Sequence, residues 1–172
     1  MAVDQVQVTL EASPNAGLAI GKYVSQIVQA QSFTPTKPSL TGISFYKIGQ
    51  TGSPGNFVIS LRANNSGNPA AAVLASCTLT IAQFTALPVG LNLAPMAYTV
   101  TPGTLYWIVV KDANTSETDN NYYSIGYRNS NVYAGGSFNQ STNNEASWTP
   151  NANIDMTFMT HYPSMQQTIN VG

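Results

Sequence analysis

Apolar and polar residues alternate with a period of two along much of the chain. In "NFVISLRA", Phe57, Ile59 and Leu61 fall on one face. "SLTGISFYKIG" alternates as well, through Leu40, Ile43, Phe45 and Ile48, with Gly42 as a candidate bulge. "VQVTL" at 6–10 and "IDMTFMTHY" at 154–162 alternate too, the latter through Ile154, Met156 and Phe158. This period predicts strands with one face in a core. "KYVSQIVQAQSF" reads as a short helix or a strand, and the alternation of "VQAQSF" favours a strand before Pro35 and Pro38.

The stretch "TPGTLYWIVV" at 101–110 departs from alternation. Pro102 fixes its own φ, and Gly103 accepts the positive φ of a type II turn. The continuous run Leu105–Val110 then predicts a strand covered on both faces, at the centre of a sheet. "AVLASCTLT" reads as one or two further strands, short strands are expected around Pro88 and Pro95, and "NYYSIGYR" resumes after a polar loop. "SNVYAGGSFNQSTNNEASWTPNAN" reads as a long irregular segment. No convincing amphipathic helix and no internal repeat is found. The expectation is an all-β chain, an antiparallel β-sandwich of jelly-roll type. Its one core is expected to hold Phe45, Ile59, Leu61, Trp107, Ile108, Val109, Met156 and Phe158.

Composition narrows the functional classes. The chain has 172 residues, 43% of them hydrophobic, enough for the core of one domain. Only 8% are charged and the formal net charge is −1, so polarity comes from Asn, Gln, Ser and Thr. Such a surface argues against electrostatic capture of nucleic acid or anionic lipid. It also leaves little repulsion between copies, which favours self-association. No apolar stretch approaches the ~20 residues of a membrane span. No basic segment followed by an apolar run opens the chain, so no signal peptide is expected. Cys77 is the single cysteine, which rules out an internal disulfide, and it is expected to be a small buried apolar residue. Asn64, Asn114 and Asn139 head N-x-Ser patterns, read as chance without a secretory signal.

Catalytic chemistry has little to work with. His161 is the single histidine, and no G-x-S-x-G elbow accompanies it, so no catalytic residue is assigned. Asp112, Glu117 and Asp119 share one loop, which is poorly placed to flank a glycosidic bond. The same loop, "DANTSETDN", offers the oxygen donors of a structural calcium site, although its spacing matches no EF-hand. No other cofactor is expected. Tyr106, Trp107, Tyr122, Tyr123, Tyr127, Tyr133, Phe138 and Trp148 are candidates for a sugar-stacking face, with about half of the rings expected inward. Trp148, Tyr133 and Asn151 are the expected ligand contacts, because they lie in the Asn-rich segment.

A resemblance then becomes visible. "AQSFTPTKPSLTGISFYKIGQTGSPGNFVISLRANNSGNPAAAVLAS" resembles the opening of a β-sandwich module found in bacterial surface proteins, where it is known as a choice-of-anchor type domain, and in phage structural proteins. The turn from Asn65 to Pro69, the stretch Thr101–Val109, "NYYSIGY", Trp148 and "DMTFMTHY" fit the same pattern, which spans residues 30–162. These are packing and turn motifs, so they speak for fold more than function. The missing signal and sorting tail favour the virion over the cell surface. The expected function is therefore a phage structural protein, a capsid decoration (cement) or tail-associated protein bound to the major capsid or tail protein. The alternative is a carbohydrate- or receptor-binding module at the cell surface or outside the cell. By resemblance, capsid-decorating proteins often occupy three-fold positions, which implies a homotrimer. Sugar-binding sandwiches likewise often hold a structural calcium.

Residues 1–30 lie before the resembling region and are expected to form an arm or edge strand, with 31–172 as the single sandwich domain. Val3, Val6, Val8 and Leu10 are its expected assembly contacts, since a free apolar edge invites another chain. The competing expectation is that residues 3–10 complete the module's own sheet.

Overall fold

The computed structural model describes residues 1–6, 16–22, 27–114, 120–129 and 133–164. Among them are thirteen strands and one short helix: β1 Ala2–Val6, β2 Ala16–Ile20, β3 Val28–Phe33, β4 Ser39–Thr51, β5 Phe57–Asn65, β6 Asn68–Leu79, α1 Ile81–Ala86, β7 Gly90–Thr99, β8 Tyr106–Asp112, β9 Tyr122–Arg128, β10 Phe138–Ser141, β11 Thr149–Pro150, β12 Asp155–Met156 and β13 Phe158–Tyr162. They form two antiparallel sheets. In the first, β4 pairs with β7 along one edge and with β13 and then β9 along the other. β2 and β12 flank β9, and β1 flanks β13. The second runs β11-β10-β3-β8-β5-β6.

Local chemistry explains the turns. β5 and β6 join through Ser66 and Gly67, with φ of 52° and 82°, the two positive values that a type I′ hairpin turn requires. At Thr101–Thr104 the Thr104 N–H donates to Thr101 O at 3.1 Å, and Gly103 has φ 78°, as the Pro-Gly pair predicts. The register of β4 on β7 shifts between Leu40 and Gly42, where the bulge was expected, and Pro95 stands opposite Gly42. β7 is one unbroken strand rather than short pieces. Pro95 is tolerated because β7 lies at a sheet edge.

The helix α1 was not foreseen. Thr80 caps it, accepting the Gln83 N–H, while the Gln83 side chain accepts the Thr80 N–H. Phe84 is its one buried residue and stacks among Phe45, Phe57 and Tyr123. The far end is closed by Lys47, whose Nζ donates to the carbonyls of Phe84, Thr85 and Leu87 at 2.8, 3.0 and 2.6 Å.

The core divides where one cluster was expected. Phe45, Ile59, Leu61, Ile108, Met156 and Phe158 lie between the sheets. Trp107 and Val109 instead join Val28 and Ala30 on the outer face of the second sheet. The reason is the strand period itself: β8 lies between β3 and β5, so its continuous apolar run sends Ile108 and Val110 inward and Trp107 and Val109 outward. Trp148 packs against that outer cluster. β3 shows the converse, with Gln29 and Gln31 buried on its inner side. Cys77 is half-buried against the main core rather than enclosed, and burial raises its thiol pKa. Among the described residues no helix is long and apolar enough to cross a membrane.

Candidate functional site

The outer face of the second sheet carries a polar cleft of about 790 Å³ beside Trp148. Its floor follows from alternation. Arg62 stands opposite Trp107 and Lys111 opposite Val58, so both cations share the outward face with Trp107. Asn65, Ser66 and Asn68 of the hairpin turn form one wall, and Glu145, Ala146 and Ser147 form the other.

Glu145 joins the cations. Its Oε2 lies 3.2 Å from Arg62 Nη2, and its Oε1 accepts Lys111 Nζ at 2.6 Å. The loop holds it there at a backbone cost, for Asn144 and Glu145 have φ of 53° and 69°. Side chains fix that shape: Ser141 Oγ accepts the Glu145 N–H at 2.9 Å, and Asn143 Oδ1 accepts the Ser147 N–H at 2.9 Å. Arg62 is enclosed, its side chain 4% exposed. It donates also to Ser60 Oγ and to the carbonyls of Ala70 and Ala71. Arg62 is therefore structural, while Lys111, with a side chain 31% exposed, reaches the cleft.

The expected ligand residues separate. Trp148 is half-buried and lines the cleft. Asn151 is exposed outside it, with its Oδ1 accepting the Asn153 N–H at 3.0 Å. Tyr133 is 7% exposed, packed edge-on against Phe158, with its hydroxyl donating to Gln5 Oε1 at 3.0 Å. Burial pushes its phenol up to about 12. The expectation that Tyr133 offers a ring to a ligand is thereby corrected. Tyr106, Trp107, Tyr123 and Phe138 are buried as well, which leaves Trp148, Tyr122 and Tyr127 partly exposed from the aromatic set. Sequence reading missed Arg62, Lys111 and Glu145, because the β5–β8 register and a folded-back loop bring them together. The outward phase of Arg62, next to inward Leu61, was the available signal.

The expected assembly residues begin at the sheet edge. β1 pairs with β13, placing Val3 opposite His161 and Val6 opposite Met159. Val3 is 43% exposed and Met1 67%. Asp4 anchors the strand by accepting the Thr36 N–H at 2.9 Å, and Gln5 N–H donates to Thr160 Oγ1 at 3.0 Å. β2 also lies at an edge of the same sheet, paired among the described residues with β9 alone. Val8 and Leu10 lie outside the described residues.

Ser44 Oγ lies 2.7 Å from His161 Nε2. Ser44 is 6% exposed, so its hydroxyl is enclosed and holds the imidazole. Desolvation first, and the N-terminal amine second, lower the His161 pKa. In the loop considered for calcium, Glu117 and Asp119 lie outside the described residues. The Asp112 carboxylate accepts the N–H groups of Gly55 and Asn114 at 3.1 and 2.9 Å. Among the described residues no three His, Cys, Asp or Glu side chains gather as metal ligands. Comparisons with protein families, curated proteins and solved structures gave no match to this chain.

Proposed function

We propose that this chain is a virion structural protein, a phage capsid decoration or tail-associated protein that binds the major capsid or tail protein as a homotrimer. It acts by contact rather than by catalysis. The observation that carries the reading is the edge at β1. Among the described residues no strand pairs with its outer side, and it presents Val3 and Met1 to solvent. An open strand edge offers unpaired N–H and C=O groups to another chain.

We read the sandwich as a jelly roll, an architecture that recurs in viral capsid domains. Support comes from the order β2-β9-β4-β7 in one sheet facing β3-β8-β5-β6 in the other. A charged fraction of 8% also suits dense packing of identical copies.

The test deletes residues 2–6 and measures mass by light scattering, fold by circular dichroism and copy number on particles by electron microscopy. The expected result is a trimeric full chain present at many copies per particle, and a folded truncated chain that is monomeric and unbound. A full chain that stays monomeric and is absent from particles overturns the function. A truncated chain that trimerises and binds as before overturns the role of the edge.

A further inference from the structure

The cleft beside Trp148 is a second surface, and its chemistry does not depend on the particle reading. We propose that it binds a carbohydrate bearing a carboxylate, such as a sialylated or uronic-acid glycan, with a sugar ring against Trp148 and the acid group toward Lys111.

The ring comes first. Trp148 is wedged against the outer cluster of Val28, Ala30, Trp107 and Val109, so its position is set before any ligand arrives. Its indole N–H has no hydrogen-bond partner among the described residues. An indole combines a flat apolar surface with one donor. A pyranose is the matching shape, with an apolar C–H face and hydroxyl oxygens around its rim.

The polar groups supply donors. Asn68 Oδ1 accepts Asn139 Nδ2 at 2.8 Å, which fixes the amide and leaves its NH₂ for the cleft. Among the described residues Lys111 gives one hydrogen bond, to Glu145, which leaves its other N–H groups for a ligand. Arg62 and Lys111 against Glu145 leave one positive charge in excess. Sugar hydroxyls accept from such donors, and a carboxylate meets the uncompensated charge. Nucleic acid would require several phosphate-pairing cations, whereas one is available here. The volume of about 790 Å³ falls within the ~300–1,000 Å³ of ligand sites.

The test presents the labelled full-length protein to an array of paired acidic and neutral glycans. It includes Trp148→Ala, and Asn68→Asp as a variant that leaves the apolar packing intact, each checked for fold by circular dichroism. Wild type should retain acidic glycans over their neutral counterparts. Trp148→Ala should weaken binding about tenfold or more. Asn68→Asp, which sets a carboxylate in the cleft, should reject the acidic members. An array on which wild type retains nothing, or prefers neutral sugars, overturns the proposal. So does a folded Asn68→Asp protein that binds acidic glycans as wild type does.

Discussion

Gln31 Nε2 donates to Asp155 Oδ1 at 3.1 Å, joining β3 of one sheet to β12 of the other. The same amide accepts the Met156 N–H through Oε1 at 2.9 Å. Both residues are almost fully buried, at 0% and 1% exposure. Gln31→Leu keeps much of the volume but removes one donor from a buried carboxylate, which keeps the Tyr133 N–H, and the acceptor of the Met156 N–H. Thermal or urea unfolding should show a loss of about 2–3 kcal/mol. Gln31→Glu sets a second carboxyl beside Asp155. Its penalty should be larger at neutral pH and shrink under acid, as one carboxyl takes a proton. A Gln31→Leu protein as stable as wild type would remove this bridge from the account of the fold.

This bridge marks the limit of what the sequence made legible. "VQAQSF" alternates, and a strand over Val28–Phe33 is what forms. Alternation alone assigns its glutamines to solvent and its Val28 and Ala30 to the core. The structure reverses this, because Gln29 and Gln31 find partners on the opposite sheet while Trp148 covers the apolar side. The type II turn at Pro102-Gly103 and the inward Phe57, Ile59 and Leu61 were readable, since local geometry decides them. β10 and β11 were hidden in the Asn-rich segment, because β10 pairs with β3, over a hundred positions earlier in the chain for Phe138 and Gln31, and the two-residue β11 pairs only onto β10. The Arg62–Glu145–Lys111 cluster was hidden for the same reason.

Lys47 offers a test of how α1 is held. Lys47→Met retains an unbranched chain against Phe84 but removes one donor from each of three carbonyls, of which that of Phe84 keeps the Leu87 N–H. The expected loss is about 1–2 kcal/mol, with faster hydrogen exchange across 81–87, because relief of lysine desolvation offsets part of the lost bonds. Desolvation lowers the Lys47 pKa in the folded state. Stability linked to such a group is fully present above the unfolded pKa and falls as pH drops through the folded one. Wild type should therefore gain on Lys47→Met as pH rises into the alkaline range. A constant difference would show that the amine is well solvated.

His161 gives the acid side of the profile. Its folded pKa lies below the ordinary 6.5, through desolvation and the N-terminal amine. The stability it contributes is present above that ordinary value and lost as pH falls through the lowered one. Melting temperature should decline from pH 7 to pH 5 more steeply in wild type than in His161→Asn, which keeps a polar group near Ser44. Parallel profiles for the two proteins would show that His161 keeps its ordinary pKa.

Glu145 separates backbone strain from charge. Both Glu145→Ala and Glu145→Gly remove the carboxylate between Arg62 and Lys111, leaving an enclosed guanidinium without its counter-charge. Each should destabilise on the order of 3 kcal/mol, the scale of breaking a buried pair from one side. The two differ in the backbone, since φ at this position is 69°. Glycine adopts that conformation freely, whereas a Cβ costs roughly 1–2 kcal/mol there. Glycine also loses more conformational freedom on folding, by roughly 0.5–1 kcal/mol. Strain wins that comparison narrowly, so Glu145→Gly should be more stable than Glu145→Ala by up to about 1 kcal/mol in urea unfolding. The reverse order would mean that the loop relaxes out of the left-handed region once the carboxylate is gone, and that the ion pair, rather than Ser141 and Asn143, sets the shape of the cleft wall.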